Sequence, residues 1–119
     1  MNRLRRGRKY EELAAEYLRG QGYEIIATNY RHSRNEIDII AAHGNELVFV
    51  EVKGGRSLAF GDPVYRVDKR KQDAIVSVAQ AFLQKSIVAY QSYRFDVIVV
   101  REEEGGRNIE HLPGAFTAS

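Results

Sequence analysis

Glu36-Ile37-Asp38-Ile39-Ile40-Ala41-Ala42-His43-Gly44-Asn45-Glu46-Leu47-Val48-Phe49-Val50-Glu51-Val52-Lys53 is the stretch whose reading decides the fold. Both of its arms are rich in β-branched residues, and Gly44-Asn45 supplies the tolerance for positive φ that a tight turn needs. The pattern predicts an antiparallel hairpin. A turn centred on Gly44-Asn45 sets His43 against Glu46, and the same register carried outward puts Asp38 opposite Glu51 and Glu36 opposite Lys53. Side chains alternate along a strand, so Glu36, Asp38, Glu51 and Lys53 are expected on one face. Ile37, Ile39, Val48, Val50 and Val52 are expected on the other, with Ile40, Leu47 and Phe49 beside the charges.

Directly opposed carboxylates lie roughly 5 Å apart and repel unless a proton or a cation comes between them. Carboxylate and carbonyl oxygens are what Mg²⁺ and Mn²⁺ prefer, so a hard divalent ion is the expected neutraliser of Asp38 and Glu51. The alternative is an internal salt bridge through Lys53, two residues along the same face, which needs no chemistry. A hairpin that is apolar on both sides needs cover on both sides. That predicts an α/β domain with helices above and below the sheet.

Upstream, Tyr10, Leu13, Ala14, Tyr17 and Leu18 recur at the spacing of one helical face from about Arg8 to Arg19, and Gly20-Gln21-Gly22 offers a glycine stop. Glu12 and Glu16 fall on the far side of this helix, whereas Glu11 borders the buried stripe. Tyr23 to Tyr30 reads as the first strand. Downstream, Gly54 to Pro63 is glycine-rich and unperiodic, a loop leaving the sheet directly after Lys53. Asp68 is placed to cap a second helix running to about Lys85 on a stripe of Ile75, Val78, Ala79, Phe82 and Leu83. Lys69, Arg70 and Lys71 fall in its first turn, where cations oppose the helix dipole, so local stability does not explain them. Phosphate contact does. Ile87 to Tyr90, Tyr93 to Val100 and Ile109 to Leu112 read as later strands, with Asp96 a structural acid beside Arg94. His32, His43 and His111 show no metal-ligand spacing and are expected at the surface.

With 119 residues, 44% hydrophobic and 29% charged, the chain has the size and composition of one globular domain. A basic tail through residue 7 is allowed at its start. The net charge is only +2. Arg31, Arg34 and the Lys69-Arg70-Lys71 run nevertheless cluster cations around the carboxylates, as does Arg8 in the first helix, which suits a polyanionic substrate. A solvated charged face is the plain alternative. Cysteine is absent, which excludes disulfides and thiolate metal sites. No apolar run reaches the length of a membrane span, so a cytoplasmic protein with no membrane partner is expected.

Asp38 followed by Glu51-Val52-Lys53 resembles the core of the PD-(D/E)xK nuclease superfamily. More narrowly, Asn35 to Ala41, Leu47 to Lys53, Phe60-Gly61-Asp62-Pro63 and Arg94-Phe95-Asp96-Val97 together resemble the YraN-like family, small bacterial proteins similar in fold to archaeal Holliday-junction resolvases. Ile37 stands where the superfamily has proline, and Asn35 where glycine is expected. The resemblance implies a restriction-endonuclease-like αβββαβ core, a mixed central sheet flanked by helices. It also implies a Mg²⁺- or Mn²⁺-dependent endonuclease for DNA, with branched or junction DNA among the candidate substrates and RNA left open. Asp38, Glu51 and the Val52 carbonyl would hold the metal, Glu11 would join them, and Lys53 would serve the attacking water. A nucleic-acid-binding module without cleavage, and a homodimer, are both compatible with these motifs.

Overall fold

The computed structural model describes residues 3–56 and 67–118, with side chains from residue 8 onward. Its elements run α1 (Arg3–Gly20), β1 (Glu24–His32), β2 (Asn35–His43), β3 (Glu46–Gly55), α2 (Lys69–Lys85), β4 (Ser92–Glu103) and β5 (Gly106–Phe116). The helix α1 begins at Arg3, ahead of the expected start, so its first turns occupy the stretch read as a basic tail. The strand β3 runs on through Gly55, so the loop expected over Gly54 to Pro63 does not begin directly after Lys53; residues 57–66, with the Phe60-Gly61-Asp62-Pro63 motif, lie outside the described residues.

All five strands form one sheet in chain order, antiparallel except for the parallel pair β3 and β4. Parallel neighbours need a crossover connection, and α2 provides it. This mixed sheet flanked by helices has the αβββαβ order expected, extended by β5, and is compatible with a restriction-endonuclease-like core. Ile87 to Tyr90 is not a strand. Both edges of β3 are already taken by β2 and β4, so this segment serves only as the return from α2, with Ile87 and Val88 exposed.

Each helix covers one face of the sheet, as a sheet apolar on both sides requires. Tyr10, Ala14, Ala15 and Leu18 of α1 pack on Ile39, Ala41, Val48, Val50, Ile98 and Val100. Ile75, Val78 and Ala79 of α2 pack on Ile37, Ile40, Leu47, Phe49, Phe95, Val97 and Val99. The α1 helix ends in a Schellman motif: Tyr23 N donates to Leu18 O, Gly22 N donates to Arg19 O, and Gly22 takes φ 90°. At the head of α2, Asp68 accepts from Lys71 N at 2.8 Å, which fixes where the basic first turn sits.

The hairpin has the expected register, from His43 against Glu46 to Ile39 against Val50. The ladder stops there. Ile37 also departs from the expected alternation, packing on the α2 side while Ile39 packs on the α1 side. The partner strand shows the cause, because Asn29 of β1 adopts φ 52° beside this point and breaks the pleat. Glu36 pairs with Arg31 on its β1 edge, and the β2–β3 ladder ends before Glu36 would meet Lys53.

Candidate functional site

Where β2 and β3 part, the Asp38 side chain takes the place of a ladder bond. Its Oδ2 accepts from Val52 N at 2.8 Å, so the carboxylate is seated between the two strands and not above them. Glu51, buried on β3, lies within hydrogen-bonding reach of Asp38 on one side. Glu11 of α1 reaches Asp38 from the other. Three carboxyl groups from three elements thus stand in a row, Asp38 and Glu51 brought together by their common hairpin and Glu11 by its place at the stripe's edge, although Asp38 lies between the strands and not on the shared face that alternation predicts. Glu12 and Glu16 face solvent.

Burial and like charge hold two of these groups away from ionisation. Loss of hydration raises the Asp38 carboxyl far above its ordinary range, and the proximity of Glu51 raises it further, while the Val52 N–H and Lys71 act against the shift. Glu11 is raised to about 7, first by burial and then by Asp38 and Glu36, against the opposing hydrogen bond from Asn29. Such a row attracts a proton or a cation.

Two contacts that the sequence did not reveal, from Asn29 and from Lys71, complete the surroundings. Asn29 Nδ2 donates to Glu11 Oε2 at 2.7 Å, and the left-handed backbone that disturbs the pleat is what turns this side chain toward α1. An Asn inside a β-branched run was the available signal, since Asn accepts that conformation more readily than most residues. Lys71 of α2 lies 3.5 Å from Glu51, so a cation of the basic helix turn reaches this carboxylate. Lys53 is half-buried on β3, beside Val99 of β4.

A groove of about 510 Å³ meets this site at Lys71 and is lined by Arg31, Arg34, Asn35, Glu36, Asp68, Arg70, Lys71 and Ala74, the three carboxylates of the row themselves lying outside its lining. Four of the six basic residues singled out from the sequence therefore share one concave surface. Lys69 is instead ion-paired with Asp73 at 2.6 Å, one turn along α2, and Arg8 is exposed on α1, away from the groove. Asn35 keeps ordinary backbone geometry; the turn before it is made by Ser33, at φ 58°. Gln72 folds back to donate to Val67 O at 2.7 Å.

A second polar cluster lies beneath the C-terminal end of α1. Asp96 is fully buried and accepts from Arg94 Nε, His111 Nε2 and Gly114 N at 2.9, 2.7 and 2.9 Å. Burial alone would raise its carboxyl; the bonds from His111, Arg94 and Gly114 outweigh that and hold it below the ordinary range. Arg94 also donates to Tyr23 Oη and pairs with Glu46. Asp96 is paired with Arg94, as expected. His111, expected at the surface, is instead held in this cluster, with its ring against Tyr17 and Tyr23.

Among the described residues, no three acidic or histidine side chains converge closely enough to form a metal cage by themselves. The donor chemistry nevertheless fits a hard divalent ion, since two adjacent carboxylates and a backbone carbonyl leave the remaining positions to water, as Mg²⁺ commonly has it. Among the described helices none is long and apolar enough to cross a membrane.

A model of the uncharacterised protein family UPF0102 matches residues 10–100. A UPF0102 protein of Chlorobium limicola is 46% identical over 116 residues, covering 92% of this chain and 90% of its own. One from Syntrophotalea carbinolica is 43% identical over 114 residues, covering 96% and 93%. Another, from Moorella thermoacetica, is 42% identical over 118 residues and covers 98% of each chain. Every element that supplies Glu11, Asp38 and Glu51 falls within the family match, at least in part.

Proposed function

The chain belongs to the uncharacterised protein family UPF0102, and we propose that it is a Mg²⁺- or Mn²⁺-dependent endonuclease acting on DNA. The observation that carries this reading is the row of Glu11, Asp38 and Glu51 joined through Lys71 to a groove that Arg31, Arg34 and Arg70 also line. Carboxylates alone suit a cation and cations alone suit a polyanion. Their adjacency suits the hydrolysis of a phosphodiester, which needs both.

In this reading Asp38, Glu51 and the Val52 carbonyl hold the ion, with Glu11 an added ligand directly or through water. A bound Mg²⁺ supplies Lewis-acid polarisation of the phosphate and a water made acidic enough to react at neutral pH. Val52 N keeps Asp38 oriented, and Asn29 does the same for Glu11. Lys53, two residues beyond Glu51, orients the attacking water and offsets the negative charge that grows on the phosphate. Arg31, Arg34 and Arg70 grip neighbouring phosphates and set the strand against the carboxylates.

The second reading, a nucleic-acid-binding module with little cleavage, is favoured by the ion pair between Lys71 and Glu51, which leaves the acidic row partly neutralised without a metal. Incubation of linear, flapped and four-way-junction DNA with Mg²⁺ or Mn²⁺ separates the two. The nuclease reading expects cutting by the natural chain that is lost in Asp38→Asn and Lys53→Ala. Salt-sensitive binding by all three proteins with no cutting by any would favour the module.

A further inference from the structure

Lys71 occupies a position that its own helix does not favour. It sits in the first turn of α2, where the helix dipole repels a cation, and its backbone N–H is fixed there by the Asp68 cap. Its neighbour Lys69 offsets the same problem locally by pairing with Asp73 at 2.6 Å. Lys71 instead reaches across to the sheet, where its Nζ lies 3.5 Å from Glu51 Oε2. That separation is longer than the roughly 2.8 Å of a tight charge-assisted hydrogen bond, so the contact is loose. The Glu51 side chain is only 10% exposed, whereas that of Lys71 is 48% exposed. One end of the pair is buried and the other is free to swing into water. Lys71 also lines the groove with Arg31, Arg34 and Arg70.

We infer that Lys71 is a place-holding cation: it neutralises the acidic row while no divalent ion is present, and when one binds it turns from Glu51 into the groove to contact a substrate phosphate. The inference rests on the divalent-ion reading of the row. Its consequence is that metal and polyanion assist each other, because a metal that releases Lys71 prepares the groove and a phosphate that captures Lys71 exposes the carboxylates. Linkage makes the two effects equal.

The test is Mn²⁺ binding to the full chain, followed by electron paramagnetic resonance of the free ion, for the natural protein, Lys71→Met, Arg70→Met and Asp38→Asn. Without its competitor, the Lys71→Met site binds Mn²⁺ about fivefold or more tighter, the low end of usual coupling between sites. Arg70→Met removes a groove cation not paired with Glu51, and its Mn²⁺ affinity stays within about twofold of the natural chain, as expected for a screened surface charge. In the second arm, binding of a fully phosphorothioate duplex is measured with and without saturating Mn²⁺. The gain from Mn²⁺ is larger in the natural chain and in Arg70→Met than in Lys71→Met. Unchanged or weaker Mn²⁺ binding by Lys71→Met, with the natural chain binding well, overturns the place-holder and leaves the metal site standing. No Asp38-dependent Mn²⁺ binding by the natural chain overturns both.

Discussion

Replacing Asp38 by Asn should make the metal-free protein more stable while destroying its site. The Asp38 carboxyl is buried between two strands with Glu51 alongside, and folding raises its pKa well above the ordinary 3.8. A group raised on folding contributes stability that is fully present below its unfolded value and is lost as pH rises through the folded one. At pH 7 the ordinary value lies roughly three units away, so at about 1.4 kcal/mol per unit the cost of this carboxyl has a ceiling of about 4 kcal/mol. Asn keeps the oxygen that accepts from Val52 N and turns an NH₂ toward Glu51, which replaces repulsion by a hydrogen bond. Burying the amide returns part of the gain, leaving about 1–2 kcal/mol, or a rise of about 4–8 °C in Tm for a domain of this size. Thermal melts in EDTA at pH 7 should show this rise for Asp38→Asn. At pH 4, where a proton already does the same work in the natural chain, the difference should shrink to about a degree. Added Mg²⁺ should stabilise the natural chain only. A variant melting several degrees below the natural chain at pH 7 would refute the reasoning, because it would mean that Asp38 is an ionised partner in a structural salt bridge.

Three other outcomes follow from the geometry. Asp96→Ala strips a buried carboxylate from Arg94, His111 and Gly114 N, and removing this buried partner, with Glu46 left as a more exposed one for Arg94, should cost about 3–5 kcal/mol in chemical denaturation. Since Asp96 is held below its ordinary 3.8, its contribution is present above that pH and lost as pH falls through the folded value, so the natural chain should lose this advantage over the variant in strong acid. At Gly54, an added Cβ would lie 2.3 Å from Tyr10 Cγ; Gly54→Ala should therefore displace α1 next to Glu11, costing about 1–3 kcal/mol and reducing cleavage as well. Finally, Arg34→Ala with Arg70→Ala should weaken DNA binding and flatten its salt dependence by about one to two units of log–log slope, read by fluorescence anisotropy across a salt series.

The parts of this fold that were legible in the sequence are those governed by local rules. Gly44-Asn45 fixed the hairpin register from His43 to Ile39, and Asp68 marked the start of α2 within one residue. Apolar runs on both arms of the hairpin were enough to require a helix on each face. The errors came where one local rule was assumed to run too far. Alternation placed Ile37 with Ile39, but Asn29 interrupts the pleat in the neighbouring strand and moves Ile37 to the other face. It also placed Glu36 against Lys53, whereas the ladder between these strands ends before reaching them. The segment from Ile87 to Tyr90 has the composition of a strand but no free edge of β3 to join.

In the site, the meeting of Asp38 and Glu51 was readable because the two residues belong to one hairpin, and Glu11 because helical periodicity set it at the edge of the buried stripe. Asn29 to Glu11, Lys71 to Glu51 and His111 to Asp96 were not readable. Each joins different elements across the tertiary packing, and nothing in the spacing of such residues records which face of one element will meet which face of another. The basic groove stands between these cases: its cations were visible as clusters, but only the packing of α2 beside the β1–β2 turn shows that Arg31, Arg34, Arg70 and Lys71 share a surface while Lys69 does not.

Anomalous diffraction from crystals of the full chain soaked in Mn²⁺ tests directly whether the acidic row takes a divalent ion. An anomalous peak is expected between the carboxylates of Asp38 and Glu51, with Lys71 withdrawn from Glu51. No peak at that position, with the Lys71 ammonium still against Glu51 at saturating Mn²⁺, would contradict the divalent-ion reading of the row.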